Sequence, residues 1–247
     1  MSVSPVDLLV FGPHPDDLEI GAGGTIARLT ASGHRVGLCD LTAGEMGSNG
    51  TVEERLAEAE AAREVLGAAW RVNLRWRDRG IGKDPEHARA AALLIRSVRP
   101  RSVAIPYWSD RHPDHVAASA VLTEAVFNSG LRRFEPDYEA WKPDWTCYYF
   151  INDSAPPSFV IDVSAHYEVK HRALACHATQ FAPSRPPSRA SEQPRSGETG
   201  SVATRLNTPR FQQLIESRDA QLGALANVEY AEGFVVKDPI VRADLFR

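Results

Sequence analysis

The sequence predicts an α/β fold in which a mostly parallel sheet is covered by helices on both faces. Short apolar runs, typical of buried strands, alternate along the chain with longer segments of helical periodicity. Glycine or proline stands at most of the boundaries between them. The chain has 247 residues, of which 43% are hydrophobic, and this is enough to build one large core. We therefore expect residues 1–247 to form a single domain.

Strand and helix signals follow one another in the order that such a sheet requires. Gly33 and Gly67 end the first two helices and suit left-handed caps, Pro100 stops the third, and Pro113 opens the fourth. The strands are apolar or alternating runs, predicted over 7–12, 36–41, 71–76, 102–107, 146–151 and 159–163. The helices are longer periodic segments, predicted over 20–32, 51–66, 85–98, 113–128, 165–178 and 210–227.

The segment 183–208 interrupts this alternation. It is rich in proline, serine and arginine and poor in apolar residues. Such a composition buries too little surface to offset the entropy lost on ordering. We expect a mobile loop, which is either a lid over a site or a plain excursion on the surface.

Composition argues against several classes of function. The formal net charge is -4 and the sequence pI is about 6.1, whereas nucleic-acid-binding domains usually carry a strong basic excess. The cysteines, Cys39, Cys147 and Cys176, are too widely spaced for a disulfide framework or a structural zinc site. No segment approaches the ~20 apolar residues that span a membrane. We expect a cytoplasmic protein without nucleic-acid or membrane partners.

A histidine and two adjacent carboxylates follow the first predicted strand, in "GPHPDDLEIG". Ligands of open α/β sheets bind beyond the carboxyl ends of strands, where the strand order reverses. His14 and Asp17 are three residues apart, so a helical turn places both on one side, where they can hold a metal ion. Asp16 points elsewhere but can reach a water on that ion. The two acids can also simply complement a helix dipole.

A second motif, "DRHPDH", occupies residues 110–115 after the strand predicted over 102–107. If the two strands are neighbours, His112 or His115 supplies a third ligand. Two histidines, one carboxylate and an open position are typical of hydrolytic zinc sites, which lower the pKa of a water from about 15.7 to ~7. Iron(II) and other divalent ions also suit these ligands. Asp16 is then the candidate general base.

A dinucleotide site is the rival interpretation of the same region. The glycines of "GAGGT" and the acid Asp40 are similar to a Rossmann fingerprint. Those glycines should lie in the turn directly after the first strand, but that turn holds "HPDD". Gly21, Gly23 and Gly24 come one helical turn later, and we expect them to let this helix pack closely.

The two motifs, "PHPDDLEIGAGGTIARL" and "DRHPDH", resemble those of the PIG-L/LmbE-type zinc-dependent N-acetylglucosamine deacetylases. The resemblance implies a Rossmann-like fold with three layers, α/β/α. It implies zinc bound by His14, Asp17 and His115, and proton transfer by Asp16.

The same resemblance gives a role to the remaining residues of the second motif. It implies that His112 stabilises the anionic oxygen of the reaction and that Asp114 orients its ring. The charge of Asp114 is expected to favour the protonated form of that ring.

Four further segments resemble the deacetylases of bacillithiol biosynthesis: "GHRVGLCDLTAGEMGSNGT", the helix of Arg55, "PSFVIDVS" and "VEYAEGF". The implied substrate is N-acetylglucosaminyl L-malate, and the products are glucosaminyl malate and acetate. Arg55 and Arg111 are candidates for binding the malate carboxylates, and Glu45 for binding sugar hydroxyls. Arg55 can instead pair with Glu58 on its own helix, and Glu45 can be a solvated loop acid.

Other functions compatible with the sequence are deacetylation of another N-acetylglucosaminyl conjugate or of a thiol conjugate, and non-catalytic binding of a metal or carbohydrate. A binding protein has no use for the non-ligand acid Asp16. The resemblance also implies a homo-oligomer, often a hexamer. Asn49, the segment 218–223 and the long loop differ from the family pattern where specificity would be set.

Overall fold

A computed structural model shows a seven-stranded sheet with helices on both faces within the described residues, 3–182 and 201–241. The strands are β1 (Leu8–Gly12), β2 (Val36–Thr42), β3 (Trp70–Trp76), β4 (Ser102–Pro106), β5 (Trp145–Tyr149), β6 (Phe159–Asp162) and β7 (Ala231–Val235). The helices are α1 (Asp17–Ala31), α2 (Val52–Leu66), α3 (Glu86–Val98), α4 (Pro113–Ser129), α5 (Tyr167–Cys176), α6 (Ala178–Phe181) and α7 (Pro209–Ala226). The Rossmann-like α/β/α class is confirmed. None of the helices in these ranges has the length and apolarity needed to cross a membrane.

The strand order is β3-β2-β1-β4-β5-β7-β6. The pairs from β3 to β5 are parallel, and β7 runs antiparallel to both β5 and β6. β1 lies between β2 and β4, with Val10 opposite both Leu38 and Ala104. The chain leaves β1 toward one edge of the sheet and later returns on its other side. The strands that precede the two sequence motifs are therefore neighbours, as expected, and the order reverses between them.

The structure differs from the sequence predictions at three elements. β7 is absent from the predicted strands, because its short run contains a glutamate and a glycine, and its pairing with Phe159–Asp162 is a distant contact. The helix predicted over 165–178 is two helices, α5 and α6, that meet at His177. Helix α1 begins at Asp17 instead of residue 20, so the first motif is part of the helix start.

Helix α1 packs very closely on β5 through Gly21. A Cβ atom at this position would lie 2.6 Å from the carbonyl oxygen of Phe150 and would overlap the ring of Tyr149. Both Tyr149 and the α1 residue Ile20 are buried in the same apolar core. The glycine-rich sequence thus serves helix packing, as predicted, and the turn after β1 is left to the motif residues.

A buried charged cluster supports the glycine-rich part of α1. The Glu232 carboxylate accepts hydrogen bonds from the backbone N–H groups of Gly24 (2.9 Å) and Thr25 (2.7 Å). The Lys170 ammonium, itself fully buried, lies 2.7 Å from Glu232 and 2.6 Å from Asp219. Glu232 of β7 and Lys170 of α5 thus connect α1 to two neighbouring elements.

Residues 183–200 of the loop predicted over 183–208 lie outside the described residues. The remaining part, 201–208, has no regular secondary structure before it enters α7. Its backbone is nevertheless hydrogen-bonded to Asn49 and Asn207. This part of the predicted loop is therefore held against the rest of the molecule.

Candidate active site

The two sequence motifs meet beyond the carboxyl ends of β1 and β4. His14 follows β1, and His112 and His115 belong to the turn and first helical residues after β4. One nitrogen of each of these three rings lies within 4.8 Å of the others. The His112 and His115 rings are stacked, with centroids 4.6 Å apart. Side chains from two distant parts of the sequence thus share one site.

Asp17 places one oxygen between two of these rings. Its Oδ2 lies 3.0 Å from Nδ1 of His14 and 3.3 Å from Nε2 of His115. Atoms that bind zinc tetrahedrally at about 2.0–2.2 Å lie roughly 3.3 Å from one another. The backbone N–H of His14 also donates to this carboxylate, at 3.0 Å, and holds it in place. The distance of Asp17 from each of these two rings is therefore that of neighbouring ligands of one divalent metal ion.

A second carboxylate, that of Asp110, orients His115 by contacting the ring nitrogen that does not face Asp17. The Nδ1 atom of His115 lies 3.1 Å from Oδ1 of Asp110, which also accepts the backbone N–H of His112 at 2.7 Å. The backbone N–H of Asn152 donates to the other oxygen at 3.0 Å. Although burial opposes ionisation, the hydrogen bonds from His115 and these backbone groups hold the pKa of Asp110 at about 2. Such a partner fixes which ring nitrogen is free to bind a metal.

His14 is oriented in the same way, by Asp78 and Asp114. Its Nε2 atom lies 3.4 Å from an oxygen of each. The Asp114 carboxylate also accepts the backbone N–H of Arg79 at 2.8 Å and is 3.1 Å from its guanidinium. Sequence reasoning gave no role to Asp78 or Asp110. Asp110 stands inside the second motif, and Asp78 follows β3, so the strand-end rule was the available signal.

The predicted relation between Asp114 and His112 needs correction. The Nδ1 atom of His112 accepts the backbone N–H of Asp114 at 3.2 Å and so caps α4. No hydrogen bond among the described residues joins the Asp114 carboxylate to this ring. Burial, followed by the nearby His115 and His14, lowers the pKa of His112, so the neutral ring is favoured. The expected protonation by Asp114 is outweighed by these effects.

Asp16 is buried and lines the same cavity as His14, Asp17 and His115. Its backbone has φ of 131°, a sparsely populated conformation that costs about 1–3 kcal/mol for a residue with a side chain. The guanidinium of Arg55 is 3.3 Å from its carboxylate. Burial raises the pKa of Asp16 to about 6, and Arg55 only partly offsets this effect.

Arg55 lines the site, and two of its three guanidinium nitrogens are already hydrogen-bonded. Besides Asp16, it donates to the carbonyl oxygens of Pro15 (2.8 Å) and Gly44 (3.0 Å). Glu58, its alternative partner by sequence, instead accepts hydrogen bonds from the backbone and hydroxyl of Thr179 at 2.7 Å. Arg55 therefore contacts Asp16 and does not pair with Glu58 along its helix, and its predicted role in substrate binding stays a prediction.

The other two predicted substrate-binding residues, Glu45 and Arg111, differ in whether they line the cavity. Glu45 does not line the cavity, and its carboxylate accepts the backbone N–H of Asp78 at 2.6 Å. This hydrogen bond joins the loop after β2 to the loop after β3, and the predicted contact of Glu45 with sugar hydroxyls stays a prediction. Arg111 is exposed and does line the cavity.

The candidate ligands lie in a cavity of about 620 Å³. One wall comes from the loop after β2, with Met46, Gly47 and Ser48. The segment before α7 and the start of that helix also line the cavity, with Thr204, Arg205, Leu206 and Phe211. A cavity of this size suits a sugar conjugate in extent.

Comparisons with known proteins agree with this geometry. The pattern of the family described as GlcNAc-PI de-N-acetylase, PIG-L, matches residues 9–126 and includes both motifs. A solved structure of a conserved protein from Thermus thermophilus is 35% identical, with a TM-score of 0.84. The match covers 98% of this chain and 99% of that one.

Two relatives carry named activities. A diacetylchitobiose deacetylase of Thermococcus kodakarensis is 33% identical over 189 residues, which cover 70% of each chain. A 1D-myo-inositol 2-acetamido-2-deoxy-alpha-D-glucopyranoside deacetylase of Segniliparus rotundus is 30% identical over 247 residues, covering 72% of this chain and 78% of that protein. Both names describe removal of an acetyl group.

Proposed function

Because the chain belongs to the PIG-L family and is a metal-dependent N-deacetylase, we propose that it hydrolyses the acetamide of an N-acetylglucosaminyl conjugate. The products are acetate and the free amine. The names of both relatives contain an N-acetylated glucosamine unit, which supports this class of substrate. The observation that carries the proposal is Asp16, a buried acid beside the candidate ligands but outside their set.

We assign zinc as the metal and His14, Asp17 and His115 as its ligands. Their nitrogen and oxygen atoms and their spacing support this assignment. Zinc, when bound, supplies a Lewis acid that lowers the pKa of a water from about 15.7 to ~7. Asp110 and Asp78 contact the rings of His115 and His14 and would hold them in orientation for binding the metal. Iron(II) is the alternative metal that the same ligands accept.

Asp16 is the proton carrier of the proposed reaction. Its carboxylate takes a proton from the attacking water and later returns it to the amine nitrogen that leaves. Arg55 holds the carboxylate in place from one side, at 3.3 Å. Burial raises its pKa to about 6, which is near the value that suits proton transfer at neutral pH.

His112 is the proposed donor to the acyl oxygen. Its Nδ1 atom is used by the backbone N–H of Asp114, so the proton of the neutral ring is on Nε2. That N–H donates to the oxygen on which negative charge develops. A preorganised donor of this kind contributes about 3 kcal/mol to transition-state stabilisation.

For the aglycone we propose L-malate, so that the reaction yields glucosaminyl malate in bacillithiol biosynthesis. Arg111 supports this proposal, because it is an exposed cation on the wall of the cavity. Another N-acetylglucosaminyl conjugate or a thiol conjugate is the alternative substrate. The non-catalytic alternative is not supported, since the relatives are named deacetylases.

Two substitutions test whether Asp16 transfers the proton while Asp17 binds the metal. Asp16→Asn should keep the metal and lower kcat by about 10²- to 10⁴-fold, because only proton transfer is lost. Asp17→Ala should lose the metal itself. Elemental analysis of the purified variants and acetate release measure the two effects, and wild-type turnover by Asp16→Asn would refute the assignment.

A substrate panel tests the aglycone. N-acetylglucosaminyl malate, free N-acetylglucosamine and an N-acetylated thiol conjugate should be compared by kcat/KM at one metal loading. We expect the malate conjugate to be preferred. Equal values for the malate conjugate and the free sugar would refute malate recognition and leave deacetylation standing.

Two broader proposals concern the whole protein. We propose a homo-oligomer, a hexamer by family resemblance, which light scattering after size-exclusion chromatography would test. We also propose a cytoplasmic location, supported by the three cysteines, which are all free thiols. The single domain over residues 1–247 stays a prediction.

A further inference from the structure

Asn49 is hydrogen-bonded to the chain segment 202–208, which contributes Thr204, Arg205 and Leu206 to the lining of the catalytic cavity. Its amide nitrogen donates to the carbonyl oxygen of Val202 at 2.8 Å, and its amide oxygen accepts the N–H of Val202 at 2.7 Å. The side chain thus pairs with both backbone groups of one residue, as a neighbouring strand would. Asn49 is buried, and its own carbonyl accepts a hydrogen bond from Gln180 at 2.8 Å.

At the other end of the segment 202–208, the side chains of Asn207 and Thr208 bond to its backbone. The amide of Asn207 accepts the N–H of Thr204 at 2.8 Å and donates to Val202 at 2.9 Å. The hydroxyl of Thr208 donates to the carbonyl oxygen of Arg205 at 2.7 Å. The backbone that carries Arg205 is therefore fixed on both sides.

Arg205 presents its side chain to the cavity that holds the candidate ligands. It is exposed, and its guanidinium lies 5.3 Å from the centre of the Phe211 ring, which also lines the cavity. Within residues 3–182 and 201–241, no carboxylate pairs with it. Arg55 and Arg79 line the same cavity, but both are already bonded to acids.

We infer that Arg205, positioned by Asn49, binds the anionic end of the substrate's aglycone and sets a preference for anionic over neutral conjugates. The inference rests on the proposed deacetylase function and deepens it. A guanidinium pairs two N–H groups with a carboxylate or a phosphate, so either anion fits. Arg111 lines the cavity as well, so a dicarboxylate such as malate finds one arginine for each carboxylate.

Kinetics with a matched pair of substrates test the inference. The pair is N-acetylglucosaminyl malate and the neutral methyl α-glycoside of N-acetylglucosamine. Arg205→Ala should lower the ratio of kcat/KM for the anionic over the neutral substrate by about 10- to 100-fold, chiefly through KM. Arg205→Lys should recover part of that ratio. Arg210→Ala, an exposed arginine outside the cavity, is the control and should keep the wild-type ratio.

Asn49→Ala tests the positioning role. It should lower the same ratio, and the double variant Asn49→Ala/Arg205→Ala should be no worse than Arg205→Ala alone, because both changes remove one contact. Additive losses, or equal losses on both substrates, would show that Asn49 only stabilises the fold. A phosphorylated glycoside in place of the malate conjugate shows which anion is preferred.

Calorimetric binding separates this inference from the proposed function. The protein used is the metal-loaded Asp16→Asn variant, with and without Arg205→Ala, and the ligand is N-acetylglucosaminyl malate. Arginine-dependent binding supports the inference even if no substrate in the panel is deacetylated, a result that would refute the proposed function. Unchanged binding in Arg205→Ala overturns the inference, while deacetylation of the neutral glycoside would still support the function.

Discussion

Replacing Gly21 by alanine tests how the packing of α1 maintains the metal site. Gly21 lies one helical turn after Asp17, and the new Cβ would be 2.6 Å from the Phe150 carbonyl oxygen and would overlap the Tyr149 ring. Relaxed contacts are about 3.5–4.0 Å, so α1 must move outward by about 1 Å. The carbonyl follows β5 directly and accepts a hydrogen bond from Arg218 at 3.1 Å, which opposes its turning away. Asp17 moves with the helix, away from His115.

The size of the effect follows from two opposing contributions. Overpacking a core costs about 1–3 kcal/mol. The cost at Gly21 should be near the upper end of this range, because the new Cβ would clash with both the Tyr149 ring and the Phe150 carbonyl oxygen. Alanine recovers about 1 kcal/mol through its higher helix propensity. The free energy of unfolding should therefore fall by about 2 kcal/mol, which lowers Tm by about 4–8 °C in a chain of this size.

Thermal denaturation and metal titration measure these changes. Gly130→Ala is the matched control, because its Cβ would lie 3.4 Å from Lys142, near ordinary contact, and φ is −83°. It should change stability by less than about 0.5 kcal/mol. A Gly21→Ala protein with the wild-type Tm and metal affinity would refute the argument that close packing of α1 places Asp17.

Three further substitutions test buried charges. Asp110→Asn should weaken metal affinity by about 10- to 100-fold, measured by competition with a chelator, because His115 loses its charged partner. Lys170→Met should lower the free energy of unfolding in urea by about 3–5 kcal/mol, since two buried carboxylates lose their cation; a loss below about 1 kcal/mol would contradict this. Burial opposes the ionisation of Glu19, but Arg71 and nearby groups hold its pKa at about 2, against 4.5 ordinarily. Ionised Glu19 therefore stabilises the fold above pH 4.5, and this contribution disappears as the pH falls toward 2. Glu19→Gln should flatten that part of the stability curve, and an unchanged slope would contradict the assignment.

The sequence was informative where a general rule of parallel sheets applied. The rule that ligands gather beyond the ends of strands flanking the reversal point predicted that His14, Asp17 and either His112 or His115 lie together. The choice of His115 came from the resemblance to the PIG-L/LmbE-type deacetylases. Helical spacing then separated Asp17 from Asp16. The rule works without knowledge of loop shape, since it depends only on strand direction and order.

Loop-dependent partners could not be predicted in this way. Glu45 bonds to a backbone N–H, Arg55 to carbonyl oxygens and Asp16, and Asp114 to Arg79, each through a turn whose path the sequence pattern does not specify. The sequence pattern assigns no role to His177, yet this residue is fully buried, 3.4 Å from Glu19. Its position depends on where α5 ends, which tertiary packing decides.

During translation, β1 leaves the ribosome long before its neighbour β4. Leu8 of β1 pairs with Ser102 of β4, and three helices and two strands are made between them. At about 5–20 residues per second, the chain between Asp17 and His115 takes roughly 5–20 s to synthesise. A nascent chain therefore holds at most two of the proposed ligands until the sheet has closed around β1. During synthesis we therefore expect metal binding by all three proposed ligands only after β4 has been made and can pair with β1.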